Sequence, residues 1–217
     1  YMTRLGDDPF GHYIFNKLEN SNIGTRFISF DSVYRTGIQL KNKTDDGSDS
    51  YAPYYRKGSA ASRITTEDIQ KIDFSEIDLI HVTGIPPALS QSNREATFAL
   101  MEKAKTAGIT ITFDPNLRPA LWENEETMRQ VINELAFQAD IFLPGKEESS
   151  ILCGTDNLEE IAAFYQKHGV KMVIIKDGAN GAYANYEGNA YYLPAFKVDK
   201  VVDTVGAGDG FAVGVIS

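Results

Sequence analysis

The spacing of apolar residues switches repeatedly between two periods along the chain. After Asp8-Pro9, residues Phe10, Ile14 and Leu18 share one helical stripe and Asn20-Ser21-Asn22 stops it, which predicts a helix over 9–20 and a short strand over 25–29. Stretches 33–40 and 51–56 lean towards strand and flank the polar run 41–48, a pattern that predicts a hairpin-like flap. Beyond it, apolar runs at 78–83, 109–113, 139–143 and 171–176 predict strands. Helical patterns separate them: one opened by Ser92-Asn93-Arg94-Glu95 as a capping box and closed at Gly108, others over 123–135, 146–152 and 158–168.

Strands that alternate with helices imply crossover connections and a mostly parallel sheet, hence an α/β fold. Ala179-Asn180-Gly181 and Glu187-Gly188-Asn189 then interrupt Tyr-rich stretches as hairpin turns do, so the sheet is expected to gain an antiparallel edge. A β-rich approach over 197–202 leads into a last helix. No repeat or low-complexity segment divides the chain, so the expected division is a core of 1–32 and 57–217 with a flap of 33–56.

Composition narrows the function classes. With 42% hydrophobic residues in 217, the chain has enough apolar material for a core of ordinary domain size. A formal charge of −9 argues against nucleic acid or an anionic membrane as partner, since both need a basic surface. Anionic substrates must then be held by locally placed Arg, Lys and backbone amides. No apolar run reaches the roughly 18 residues that span a bilayer, and cytoplasmic location is the expectation. The start at Tyr1-Met2 and the stop at Ile216-Ser217 inside an apolar run raise the expectation of further chain at both ends. Cys153 is alone and reads as a small buried hydrophobe, and His12, His81 and His168 share no metal-ligand spacing.

The strongest chemical signal is Asp203-Thr204-Val205-Gly206-Ala207-Gly208-Asp209-Gly210-Phe211. Small residues running into a helix leave backbone N–H groups bare, a ready anion site. The segment fits neither a Walker loop nor a dinucleotide fingerprint, so a nicotinamide oxidoreductase, a reading from another class that an NADH fluorescence titration would decide, lacks the motif it would need. Its unusual element is the carboxylate. Asp209 is either a favourable charge in the first turn of a helix or a general base that takes a proton from a hydroxyl attacking phosphate.

This segment resembles the C-terminal signature of the ribokinase/PfkB carbohydrate kinases. The resemblance implies a ribokinase-like three-layer fold with a mostly parallel central sheet and a small β-flap as lid. It implies Asp209 as catalytic base and Gly206, Ala207 and Gly208 as the anion hole for the transferred phosphoryl group. Other pieces follow in the family's order. Gly6-Asp7-Asp8-Pro9-Phe10-Gly11 resembles the stretch after the family's Gly-rich substrate segment. Asp114-Pro115-Asn116-Leu117-Arg118 resembles its Asp-x-Asn-x-Arg element, which implies Asn116 near phosphates and metal and Arg118 near substrate. Lys176-Asp177-Gly178-Ala179-Asn180-Gly181 resembles its nucleotide loop, implying Lys176, Gly178 and Gly181 at ATP; the same residues also read as an ordinary Asn-Gly hairpin turn. Gly145-Lys146-Glu147-Glu148 keeps the Glu of a family Asn-x-x-Glu but has Gly for the Asn, leaving Glu148 to organise water around Mg²⁺. In some relatives residues like Asp203 and Thr204 hold a monovalent cation, and the family's adenine pocket lies mostly beyond the last helix here.

For the substrate, Tyr54-Tyr55-Arg56-Lys57-Gly58-Ser59 looks like the flap segment of 2-keto-3-deoxygluconate kinases, in which Tyr54 and Arg56 would reach a sugar acid. Arginine offers a planar two-donor fork suited to a carboxylate, and Arg56 with Arg118 gives two. Gln39 stands where relatives often carry a further Tyr, and residues 113–122 resemble fructokinases equally. Fructokinase is therefore the alternative, and a non-catalytic sugar-binding relative a third reading. The tyrosines also fit simple pairing across the flap or a subunit contact, and the family's use of the flap as an interface raises the expectation of a homodimer.

Overall fold

Residues 1–40, 54–199, 201 and 204–217 are described by the structure, a computed structural model. They fall into two compact units, one of Tyr1–Asp73 with Pro86–Leu100 and one of Phe74–Ile85 with Met101–Ser217.

In the first unit, β1 (Met2–Gly6) and β2 (Phe27–Asp31) pair in parallel, Met2 opposite Phe27 and Gly6 opposite Asp31, joined by α1 (Pro9–Asn20). Proline at the start of α1 costs nothing because that position has no intrahelical N–H bond to lose. Asp8 caps the helix, its Oδ1 accepting from the Gly11 amide at 2.9 Å. Its Oδ2 accepts from the Thr36 amide at 2.8 Å, while Thr36 Oγ1 accepts from the Gly6 amide at 2.9 Å. The Gly6-to-Gly11 motif is thereby a knot that ties a strand end and a helix start to the root of the flap. Two glycines make room for it. A Cβ at Gly11 would overlap the Gly6 carbonyl oxygen, and one at Gly6 would overlap Asp8 Oδ2 and stand 2.5 Å from the Thr36 nitrogen.

The flap root continues as β3 (Ile38–Gln39), antiparallel to β4 (Tyr54–Tyr55). The polar run 41–48 and Tyr51 lie outside the described residues. Two short helices that periodicity does not register, α2 (Thr66–Gln70) and α3 (Pro86–Leu89), complete this unit with the start of α4 (Gln91–Thr106). The expected capping box at Ser92 is displaced: Ser90 Oγ accepts from the Asn93 amide at 3.1 Å, so the helix opens two residues earlier. The strand expected over 25–29 likewise lies two residues later, as β2.

The second unit is built on one six-stranded sheet, β5 (Leu79–Thr83), β6 (Thr110–Asp114), β7 (Ile141–Phe142), β8 (Met172–Lys176), β9 (Ala182–Tyr186) and β10 (Asn189–Leu193), in the order β10-β9-β8-β7-β6-β5. The first four are parallel; β9 and β10 add an antiparallel edge, as the turn residues foretell. Ile111 to Asp114 and Val173 to Ile175 are buried without alternation, the pattern of parallel strands covered on both faces. Three capped helices connect them. Asn124 caps α5 (Glu125–Ala136), Gly154 ends α6 (Lys146–Cys153) in the left-handed region, and Asn157 caps α7 (Leu158–Lys167).

Phe113 stacks on Phe142 at 5.8 Å, and Tyr165 reaches Phe142 at 4.4 Å while its hydroxyl donates to Asn133. The last helix, α8 (Ala207–Ile216), lays Ala212 on Leu143 and Ile174, with Phe211 and Val215 at the margin of the same cluster. The described residues between Leu193 and Thr204 form no strand, unlike the β-rich approach expected over 197–202; Phe196 and Val198 there are exposed. No described helix is long and apolar enough to cross a membrane.

Candidate active site

In a parallel sheet the strand C-termini open on one edge, where backbone groups lack ladder partners and ligands gather. β6 ends at Asp114 and β8 at Lys176, flanking the two-residue β7. Asp114 is 4% exposed, and its Oδ2 accepts from Lys176 Nζ at 2.7 Å. Its Oδ1 accepts from the Asn116 amide at 3.0 Å, across the Pro115 turn. Asn116 has a φ of 39°, in the left-handed region that asparagine tolerates better than most residues. Gly84 makes the turn possible, since a Cβ there would overlap the Pro115 carbonyl.

The same turn is held from its other side. Glu148 Oε1 accepts from the Leu117 amide and Oε2 from the Gly145 amide, both at 2.7 Å. Glu148 thus bridges the start of α6 to the Asp-Pro-Asn turn. The Gly145 amide that it captures is at the position where the family's Asn is absent, and a glycine there leaves only 3.1 Å between a built Cβ and Glu148 Oε2. Arg118 Nη1 donates to the Leu117 carbonyl at 2.7 Å, with the side chain half-buried.

Gly206 precedes α8 at its N-cap, and its φ of 78° suits glycine. The Ala207 amide donates back to Thr204 at 3.2 Å, and the first intrahelical bond runs from the Gly210 amide to the Gly206 carbonyl at 2.8 Å. The Gly208 and Asp209 amides precede that bond and are the open donors of the helix start. A Cβ on Gly208 would stand 4.0 Å from Asp114 Oδ2, so the glycine-rich turn approaches the Asp114–Lys176 pair. The Asp209 side chain is exposed in the first turn. Thr204 is exposed, and Asp203 lies outside the described residues.

His81 reports the electrostatics of this edge. Burial holds its imidazole pKa below the ordinary histidine value, against an upward pull from the Asp114 and Asp209 carboxylates and with a downward push from Lys176. Its Nδ1 sits 2.8 Å from Thr112 Oγ1. Asp114, Asp209 and Lys176 therefore share one electrostatic neighbourhood. Gly178 and Gly181 lie in the β8–β9 hairpin, where Gly178 begins a 3-10 turn and Gly181, at φ 106°, approaches the backbone of residues 193–195. The loop is both an Asn-Gly hairpin and a neighbour of Lys176.

In the first unit Arg56 Nη2 donates to Gln39 Oε1 at 2.7 Å, across the β3–β4 pair. The backbone of Tyr54 pairs with Gln39, its side chain lying outside the described residues. Thus Gln39, Tyr54 and Arg56 gather in one unit, and Asn116, Arg118, Glu148, Lys176 and the Gly206-to-Asp209 turn in the other.

The described residues contain no group of three or more His, Cys, Asp or Glu side chains that could hold a metal. A magnesium ion that keeps most of its waters and leans on phosphate needs only one carboxylate nearby, and Glu148 retains lone pairs beyond its two amide bonds. Cys153 is half-buried with its thiol on the Ser149 carbonyl at 3.2 Å, and burial pushes its pKa up, as an inert cysteine requires. Asp114 is the site residue that sequence reasoning missed. Its signal was a carboxylate closing a strand whose apolar residues, Ile111 and Phe113, mark it for burial, where an acid demands a partner.

A parallel sheet that collects charged groups at its strand ends and feeds a glycine-rich turn into a helix is the ribokinase-like architecture on which sugar kinases are built. Residues 1–217 match the model described as pfkB family carbohydrate kinase, and the chain belongs to that family. It is 44% identical to the 2-dehydro-3-deoxygluconokinase of Bacillus subtilis (strain 168), over 100% of this chain and 67% of the relative. A crystal structure of a PfkB protein from Polaromonas sp. JS666 superposes with a TM-score of 0.89 at 40% identity, covering 99% of this chain and 70% of that one. A fructokinase double mutant from Vibrio cholerae O395, bound to fructose, ADP and potassium ion, gives a TM-score of 0.88 at 28% identity, over 99% and 68%. The chain thus spans about two thirds of the length of the relatives it matches.

Proposed function

We propose that the protein transfers the γ-phosphoryl group of ATP to a small sugar acid, 2-keto-3-deoxygluconate, with Asp209 as general base. The observation that carries this is the start of α8, where an exposed carboxylate stands in the same turn as the open Gly208 and Asp209 amides. Phosphoryl transfer asks little covalent chemistry of a protein and much positioning and charge stabilisation. The open amides that end the Gly206-Ala207-Gly208 turn, those of Gly208 and Asp209, stabilise charge on the transferred group, and Asp209 accepts the proton of the attacking hydroxyl. Glu148 would support magnesium, which would supply neutralisation of the phosphate charge. Asn116 faces the phosphates, Gly178 and Gly181 shape the nucleotide side, and Thr204 with Asp203 supports a monovalent cation.

The sugar-acid reading rests on Arg56 and Arg118 and on the 44% identity to a 2-dehydro-3-deoxygluconokinase. Gln39 accepts from one donor arm of Arg56, which ties that guanidinium to the β3–β4 pair. Tyr54 is the third residue assigned to the sugar acid, on its likeness to the flap segment of such kinases. Fructokinase is the second reading, favoured by the neighbour that holds fructose and ADP.

A coupled ADP-release assay on the full-length enzyme with a panel of sugars and sugar acids tests this. The expected result is turnover that depends on sugar and is fastest with 2-keto-3-deoxygluconate; preference for fructose supports the second reading, and ATP turnover indifferent to every sugar overturns both. Asp209→Asn should lower kcat by on the order of 10² to 10⁴, and an unchanged rate removes Asp209 from the role.

A further inference from the structure

Lys176 sits where a nucleotide ligand is expected, yet its ammonium is turned inward onto Asp114 at 2.7 Å. Both side chains are shielded, at 21% and 6% exposure, and they join the ends of β8 and β6 across the short β7. Lone burial would make either charge costly, so each fixes the other in place. Asp114 has a second task, because its other oxygen holds the Asn116 amide and so the left-handed turn that presents Asn116. The glycine-rich start of α8 comes within a built Cβ contact, 4.0 Å, of the Asp114 oxygen that Lys176 holds.

We propose that Asp114 and Lys176 are a positioning pair for phosphoryl transfer: the ion pair locks the Asp-Pro-Asn turn and keeps the floor beneath the anion hole electrically neutral. Lys176 then acts through Asp114 and is not itself a ligand of the nucleotide. The inference rests on the kinase reading above. A bare carboxylate beside the hole would repel the incoming phosphates, and a loosened turn would misplace Asn116. Either fault falls on the reacting geometry more than on ground-state binding of ATP.

The test is a double-mutant cycle in the full-length enzyme with Asp114→Asn, Lys176→Met and the double variant, reading kcat and the KM for ATP separately. Each single change should lower kcat by about 10- to 100-fold with KM for ATP held within about threefold. The double variant, which removes both charges, should recover several-fold in kcat over the worse single. If Asp114→Asn fails to fold, Lys176→Met against the double variant still decides: a double variant no better than Lys176→Met overturns the pair. So does a Lys176→Met enzyme with KM for ATP raised about tenfold at unchanged kcat, the signature of a direct nucleotide ligand. Should the unaltered enzyme phosphorylate no sugar, the functional reading falls alone, and the pair is judged by the ¹⁵N-resolved amide signal of Asn116. Displacement of that signal by Lys176→Met supports the pair, and an unmoved signal overturns it.

Discussion

Two buried aspartates, Asp8 at the flap root and Asp114 at the end of β6, solve the same problem by different means. Both are under a tenth exposed, at 8% and 4%, and both accept from a backbone amide that no regular element satisfies. Asp8 meets its charge with neutral donors alone, chiefly the amides of Gly11 and Thr36 with the Thr36 side chain beside them. Although burial pulls its carboxyl up, those bonds hold its pKa below the usual aspartate value. Asp114 takes one amide and one ammonium. An amide cage is a fastening for the chain. An ion pair is also a local charge balance, and this one stands beside the glycine-rich start of α8. Position alone does not separate a structural carboxylate from one that serves a site; the nature of its partners does.

The largest expected effect breaks the first region and spares the second. Gly11→Ala drives a Cβ into the Gly6 carbonyl, a backbone atom that cannot turn aside, and should cost about 3 kcal/mol or more of stability in a urea titration. Gly208→Ala is the matched control, because its Cβ meets nothing nearer than 4.0 Å and alanine is the better helix former. It should leave the urea midpoint near the original value while lowering kcat about tenfold or more by crowding the anion hole. Loss of stability with full activity per folded molecule at Gly208 would erase the distinction.

Next in size, Asp8→Ala leaves the Gly11 and Thr36 amides buried without acceptors and should cost about 2–4 kcal/mol. Activity per folded molecule should persist. The pH dependence sharpens this further. With the folded pKa below the unfolded one, Asp8 contributes stability that is present above about pH 4 and lost as pH falls through the lowered value. Asp8→Asn should therefore differ most from the unaltered protein near neutrality and converge on it in acid, which urea midpoints across pH 3–7 will measure.

The sequence was readable where one local rule sufficed. The apolar runs ending at Phe113 and Lys176 gave β6 and β8, and the Asn-Gly and Glu-Gly turns gave the antiparallel edge. β1 escaped because Thr3 and Arg4 break its alternation, and α2 and α3, of five and four residues, are too short to show a helical period. The glycine-rich turn into α8 was legible because small residues followed by an apolar helical run mark a helix start. The Asp114–Lys176 pair was not: its members are 62 residues apart, and only the strand order, with β7 between β6 and β8, brings them together. Glu148 was visible as an acid but not as a bridge, because its amide partners Gly145 and Leu117 belong to different loops.

The smallest effect concerns His81, which feels the second region without belonging to it. Its folded pKa is depressed by burial in spite of the Asp114 and Asp209 carboxylates, so the folded state holds the neutral ring in preference to the cation. The linkage sign follows. The contribution is fully present above the unfolded value of about 6.5 and is lost as pH falls through the lowered folded value. His81→Asn keeps a polar atom for Thr112 Oγ1, 2.8 Å from Nδ1, and removes the titration. Its stability should track that of the unaltered protein above pH 7 and fall less steeply below it. Combining His81→Asn with Asp114→Asn connects the two regions to one readout: with the Asp114 carboxylate gone, an intact His81 should lose more stability on acidification than before, since that charge is among those that favour its protonation. Identical acid limbs with and without Asp114→Asn would show that His81 answers only to its burial and that the charge balance at the strand ends does not reach it.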